Sequence, residues 1–211
     1  MKKLISLMTL LSLFVVTGCS NNETEDSTGG DDNTNIDQDG GNNSGDSTET
    51  PDINALVVYF SATGNTEEVA NFIGDYLNAS IYELEPVDPY TSEDLNYSSS
   101  TSRVSIEHND PDRYVELVTT DFDGFSDADY IFLGAPVWWG ELSWVIDDFV
   151  LSNDFTGKTI IPFATASSSN FDVDDLRPLS EEATRLEGRR FTHSQINEET
   201  VREWIDSLNL A

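Results

Sequence analysis

The stretch LVVYFSATGNT, residues 56–66, predicts a strand, a turn and the start of a helix. Leu56 to Phe60 is an apolar, β-rich run of strand length. Ser61 to Thr66 is a short turn rich in hydroxyl groups, and a helical pattern follows from Glu67 to Leu77. The polar turn therefore stands between the end of a buried strand and the N-terminus of a helix.

This turn has the chemistry of an anion site. Backbone N–H groups and the positive end of a helix dipole meet at such a point, which favours a phosphate. Ser61, Thr63 and Thr66 add hydroxyl donors, and Gly64 permits a positive φ or a close approach to a ligand. The turn lacks the lysine of a nucleoside triphosphatase loop and the GxGxxG of a dinucleotide fold. A turn that only caps a helix is the alternative.

The turn resembles the first loop of the flavodoxin family, which reads Thr/Ser-x-Thr-Gly-x-Thr and holds the phosphate of FMN without a cation. The resemblance covers Asn54 to the C-terminus, the length of one domain. It implies that the cofactor is FMN and that the following residues contact its phosphate: Ser61, Ala62, Thr63, Gly64, Asn65 and Thr66.

A second motif, GAPVWWGELS at residues 134–143, follows the third predicted strand. Pro136 is expected to end that strand and Gly140 to permit a tight turn, which would present Trp138 and Trp139 on a loop. Both rings cannot face the same way, and packing beneath the loop is the alternative for each. The string resembles the flavin loop of a flavodoxin subgroup, which implies ring contacts from Pro136, Val137, Trp138, Trp139 and Gly140.

A third loop follows the fourth predicted strand and reads Thr165-Ala166-Ser167-Ser168. In flavodoxins the corresponding loop flanks the other edge of the flavin, so the resemblance assigns these four residues to the cofactor. Serines stand here where the subgroup is usually rich in glycine.

The alternation of strand and helix patterns predicts a doubly wound α/β fold. The flavodoxin-like form of that fold is a three-layer sandwich whose five-stranded parallel sheet has the order 2-1-3-4-5. The helix after the turn places Val69, Ile73 and Leu77 on one face. A last helix begins behind a cap at Asn197, and one of its faces has Val201, Trp204, Ile205 and Leu208. The predicted strands are Leu56 to Phe60, Ser80 to Leu84, Tyr130 to Ala135, Thr159 to Ala164 and Arg189 to Thr192.

The segment 88–112 is longer than a connection requires and has no clean periodicity. A helix is expected to begin near Pro111 with Tyr114, Leu117 and Val118 on its apolar side. Within the segment, Tyr90, Tyr97 and Arg103 could lean over a ligand or form a satellite cluster under the loop.

Composition excludes several function classes. The chain has 40 Asp plus Glu against 10 Lys plus Arg, a formal charge of −30, which disfavours nucleic acid as a partner. Its two histidines, His108 and His193, have no metal-ligand spacing, and no GxSxG motif is present.

The N-terminus resembles a bacterial lipoprotein signal. Lys2 and Lys3 precede an apolar run, and residues 1–18 end at Gly18, directly before the single cysteine, Cys19. The resemblance implies cleavage before Cys19 and its lipidation. Residues 19–52 then form an acidic linker that cannot bury enough apolar surface to fold, with a span on the order of 30 Å. Residues 53–211 form the domain, which is expected outside the cytoplasm on a lipid anchor.

Together these features predict a lipid-anchored, flavodoxin-like protein that binds FMN noncovalently and transfers electrons. Its expected partners are a redox protein or a small-molecule electron acceptor, with the membrane contacted through the anchor only. Two alternatives are an FMN-dependent NAD(P)H or quinone oxidoreductase and a flavin-free binding lipoprotein that kept the fold.

Overall fold

The computed structural model describes residues 53–167 and 183–210, and these form a parallel sheet between two helical layers. Cys19, the linker, the signal sequence and Ser168 lie outside the described residues. The strands are β1 (Ala55–Tyr59), β2 (Ser80–Glu83), β3 (Tyr130–Trp138), β4 (Glu141–Leu142), β5 (Thr159–Thr165), β6 (Thr184–Arg185) and β7 (Arg189–Phe191). The helices are α1 (Asn65–Leu77), α2 (Arg103–His108), α3 (Asp147–Ser152) and α4 (Glu198–Ser207).

The predicted α/β sandwich and its strand order are confirmed. The parallel strands run in the order β2-β1-β3-β5, and both β6 and β7 pair with β5. The predicted fifth strand, Arg189 to Thr192, is present as β7, and β6 is a further short strand that the sequence pattern did not predict. The short strand β4 is an addition that pairs antiparallel with the end of β3.

The two sides of β1 show how alternation builds the three layers. Leu56 and Val58 face one cluster of buried side chains, which includes residues of α2 and α3. Val57 and Tyr59 face the other cluster, which includes residues of α1 and α4. Since successive side chains of a strand point to opposite faces, one apolar run supplies both cores.

The predicted helix faces are confirmed for α1 and α4. Val69, Ile73 and Leu77 are buried in α1, as are Val201, Trp204 and Ile205 in α4. Asn197 caps α4, because its side-chain oxygen accepts a hydrogen bond of 2.9 Å from the Thr200 N–H. Within the described ranges, no helix has the length and apolarity that a membrane crossing requires.

The prediction of a helix that begins near Pro111 is wrong. The helix of this region, α2, begins earlier at Arg103, and residues 111–129 form no helix. Leu117 instead bridges to Pro86, and the Val118 N–H donates to the Glu85 carbonyl at 2.8 Å. Val115 and Leu117 are buried between exposed neighbours, so the burial has the period of extended chain.

The expectation that Pro136 ends the third strand is also wrong, because β3 continues to Trp138. Pro136 lies beyond the last pair of the β1 ladder, which joins Tyr59 to Gly134, so its missing N–H breaks no bond to β1. Its carbonyl accepts a 2.9 Å bond from the Ser143 N–H. Pro136 therefore lies between the part of β3 that pairs with β1 and the part that pairs with β4, and not at the end of the strand.

Candidate functional site

A cavity of about 370 Å³ opens at the carboxyl ends of β1, β3, β5 and β7. Its walls come from three predicted loops, from the long segment after β2, and from the residues that follow β7. The described lining residues are Ala62, Thr63, Asn65, Leu95, Tyr97, Pro136, Val137, Trp138, Thr165, Ala166, Ser167, Phe191, His193 and Ile196. Ligands of doubly wound sheets bind at this edge of the sheet.

The first loop has the backbone shape that an anion site needs. Gly64 stands at the N-cap of α1 with φ of 87°, and the Ser61 hydroxyl oxygen accepts a 3.1 Å bond from the Gly64 N–H. The Thr63 hydroxyl oxygen accepts a 3.1 Å bond from the Asn65 side chain. Both bonds use oxygen lone pairs, so each hydroxyl keeps its own proton for another acceptor.

Thr66 has a different position from its neighbours. It is buried, and its hydroxyl group lies 2.8 Å from that of Thr165 at the end of β5. This bond fixes the first turn of α1 above β5 and joins the first loop to the third. Thr66 thus holds the two loops together, and its side chain is not among those that line the cavity.

The tryptophan pair is divided between the core and the surface. Trp138 is only 1% exposed and lines the cavity from the end of β3, so its expected place on a loop is wrong. Trp139 is 41% exposed and does not line the cavity. Its ring stacks on His108 instead, with centroids 4.4 Å apart and planes 8° from parallel.

A two-residue hairpin turn causes this division. Trp138 pairs with Glu141, and the residues between them, Trp139 and Gly140, have φ of 49° and 88°. Two consecutive positive φ values are the mark of the turn type that matches the twist of a hairpin. The tight turn predicted at Gly140 is confirmed, and Gly140 itself lies outside the cavity lining.

The long segment after β2 contributes an aromatic wall to the cavity. Leu95 and the half-exposed ring of Tyr97 line it. Partial burial raises the pKa of Tyr97 to about 12, with the Trp138 side chain acting in the opposite direction. Tyr97 therefore stays a neutral phenol at physiological pH. Tyr90 and Arg103 form a satellite cluster instead, with the guanidinium 3.9 Å from the ring centre.

The third loop and the chain after β7 close the remaining side. Thr165, Ala166 and Ser167 line the cavity, and the Ala166 N–H donates to the Phe191 carbonyl at 3.0 Å. Sequence reasoning missed Phe191, His193 and Ile196. They follow a strand end that meets the same sheet edge, which is the signal that could have identified them.

The cavity differs from the rest of this acidic chain in its charge. None of its described lining residues is Asp, Glu, Lys or Arg, although the chain carries a formal charge of −30. Among those lining residues, His193 alone has a side chain that can become cationic. Residues 53–167 and 183–210 contain no cluster of His, Cys, Asp or Glu that could hold a metal ion. The site suits a ligand held by hydroxyl groups, backbone N–H groups and aromatic surface.

The comparisons with known proteins agree on one family. The flavodoxin family model matches residues 54–208. A candidate flavoprotein of Bacteroides uniformis is 33% identical, with a TM-score of 0.67 over 74% of this chain and 99% of its own. One from Bacteroides eggerthii is 29% identical, with the same TM-score over 75% of this chain and 99% of its own.

A more distant structure shares the fold alone. A flavoprotein of Lactobacillus acidophilus, solved in complex with FMN, is 17% identical with a TM-score of 0.52, over 75% of this chain and 99% of its own. Among curated proteins, no sequence matches this chain.

Proposed function

Because the chain belongs to the flavodoxin family, we propose that it binds FMN noncovalently in this cavity and transfers electrons. One observation carries the proposal. Thr63, whose hydroxyl keeps a proton to donate, and an aromatic wall of Tyr97 and Trp138 line the same cavity, which contains no carboxylate among its described residues. A phosphate joined to a flat aromatic ring matches both kinds of wall.

The residues present fit FMN in chemistry and in space. The volume of about 370 Å³ falls within the range of roughly 300–1,000 Å³ that small-molecule sites occupy. Ser61, Thr63 and the N–H groups from Asn65 onward would hold the phosphate, while Tyr97, Trp138 and the Thr165 to Ser167 loop would enclose the ring. FMN supplies the redox chemistry when bound, and the chain orients it and excludes water.

The cellular setting is part of the proposal. The apolar run before Cys19 supports lipidation at that residue and a position outside the cytoplasm, with the acidic segment up to residue 52 as a tether. The electron partner is a redox protein or a small-molecule acceptor. The charge of −30 favours a basic surface on any protein partner.

Titration of FMN fluorescence tests the proposal. The full chain, purified in non-ionic detergent, is expected to quench FMN fluorescence at micromolar protein, because aromatic side chains against the ring favour quenching. Tyr97→Leu is expected to weaken FMN binding by roughly tenfold. Tyr114→Leu is the matched control, since its ring is 63% exposed and lies outside the cavity lining, so binding should change by less than about twofold.

Two results would count against the proposal. Fluorescence that stays unquenched at micromolar protein would contradict FMN binding and favour the flavin-free alternative. If the chain oxidised NAD(P)H at steady state with quinone as acceptor, the oxidoreductase alternative would be favoured over electron transfer to a partner.

A further inference from the structure

His193 occupies a defined place beside the cavity that no motif predicted. It begins the short 3₁₀ turn His193–Gln195, which connects β7 to α4. The turn is fixed at its start, because the Thr192 N–H and hydroxyl both donate to the Gln195 side-chain oxygen, at 3.0 and 2.8 Å. His193 is exposed, and it lines the cavity together with Thr63 and Asn65 of the first loop.

Two hydrogen bonds join this residue's segment to the predicted phosphate turn. The Phe191 carbonyl accepts from Ala166, and the neighbouring Thr165 bonds through its hydroxyl group to Thr66 in the first turn of α1. The N-terminus of α1 and the residues after β7 therefore approach each other across the end of β5. His193 thus shares the cavity lining with Asn65, the first residue of α1, and with Thr63 before it.

The charges around the cavity make this imidazole distinctive. FMN brings a phosphate with nearly two negative charges to a chain of formal charge −30, and the turn at Ser61 to Thr66 contains no lysine or arginine. Within the described lining no other side chain can carry a positive charge. An imidazole can also donate an N–H in its neutral form, so its contact with a phosphate does not require full protonation.

We propose that His193 donates an imidazole N–H to the phosphate of the bound flavin mononucleotide and so selects FMN over flavins that lack a phosphate. The inference rests on the proposed function and adds a side chain to the phosphate site that the family motif does not contain. The ligand chemistry is a phosphate monoester, recognised by hydroxyl groups, helix N–H groups and one imidazole.

Affinities for FMN and riboflavin, which differ only by the phosphate, test the proposal. In the full chain, His193→Ala is expected to raise the Kd for FMN roughly tenfold, in the range of a hydrogen bond to a charged group, and to leave the Kd for riboflavin within about twofold. His193→Gln, which keeps an N–H donor, should recover part of the loss. Equal changes for both flavins, or no change for either, would overturn the assignment.

The two histidines permit a direct spectroscopic reading with a built-in control. His108 stacks on Trp139 outside the cavity lining, and the chain contains no third histidine. In imidazole NMR spectra of the full chain, FMN and inorganic phosphate should each shift the His193 resonances, while inorganic phosphate leaves His108 unchanged. A His193 signal that responds to neither would overturn the proposal. If wild type binds neither FMN nor riboflavin, the proposed function fails, and a His193 response to inorganic phosphate would still support the contact.

Discussion

At the scale of single residues, Gly64 is required for its backbone conformation and not for space. Its φ is 87°, a value that L side chains rarely adopt, and a Cβ built there meets no atom within 4 Å. Gly124, in the loop before β3, has φ of 85° and equally open surroundings. The two glycines therefore have the same positive φ, but Gly64 lies in the predicted phosphate turn and Gly124 lies outside it.

Replacement of each glycine by alanine separates folding from binding. Gly64→Ala and Gly124→Ala should each lower the free energy of unfolding by about 1 kcal/mol, because the side chain is strained at positive φ. Only Gly64→Ala should also weaken FMN binding, since it disturbs the N–H groups of the turn. Urea unfolding and FMN titration measure the two effects, and equal loss of affinity in both variants would contradict the assignment of the turn.

The two tryptophans show how far sequence reasoning reaches at this scale. The pattern indicated that their rings cannot face the same way and that a tight turn lies at Gly140, and both hold in the structure. It could not decide which ring faces the cavity. That depends on the register of β4 against β3, which puts Trp138 inside and leaves Trp139 against His108.

At the scale of elements, one carboxylate of α2 accepts hydrogen bonds from two aromatic side chains outside the helix and from Arg103 within it. The Tyr90 hydroxyl and the Trp144 indole N–H both donate to Glu107 Oε2, at 2.6 and 2.9 Å, and Arg103 Nε donates to Oε1 at 2.6 Å. Burial, followed by the bond to Glu107, raises the pKa of Tyr90 well above its usual value. Tyr90 and Trp144 in turn pack edge-on against Trp138. Glu107 thus supports the aromatic wall from behind.

Loss of this carboxylate is expected to cost far more stability than loss of the other acid beside Arg103. Glu107→Ala should lower the free energy of unfolding by roughly 2–4 kcal/mol, because Glu107 is 15% exposed and its donors lose their acceptor. Asp88→Ala is the matched control: that side chain is 89% exposed and lies 3.4 Å from Arg103, so the change should stay below about 1 kcal/mol. Urea unfolding followed by tryptophan fluorescence compares them, and similar losses would refute the role of Glu107.

The same region marks the limit of prediction for elements. Strands and long helices could be predicted from their periodicity. Val69, Ile73 and Leu77, for example, recur every four residues and so form the buried face of α1 whatever it packs against. The prediction of a helix near Pro111 failed because the spacing of three apolar residues, Tyr114, Leu117 and Val118, suggested a helical face. The Leu117 N–H is instead bonded to the buried carboxylate of Asp148 on α3 at 3.1 Å, a partner 31 residues away that local sequence cannot indicate.

At the scale of the whole molecule, negative charge is kept out of the one place where a phosphate is expected. The chain has 40 acidic residues, yet the described cavity lining has none. The sheet order explains the arrangement, because the strand ends that form the cavity come from buried, apolar runs and continue into short hydroxyl-rich loops. The acidic residues can then act on partners and solubility without opposing the ligand at contact distance.

The proposed membrane anchor depends on one residue, Cys19. In a bacterial host, wild-type chain is expected to incorporate labelled fatty acid and to lack residues 1–18, because the sequence before Cys19 has the form of a lipoprotein signal. Cys19→Ala should lose the label and keep those residues, whereas Ser20→Ala, the adjacent control, should behave as wild type. Mass spectrometry of the N-terminal peptide measures both changes. A label that persists in Cys19→Ala, or a wild-type chain that retains Met1, would contradict anchoring through Cys19.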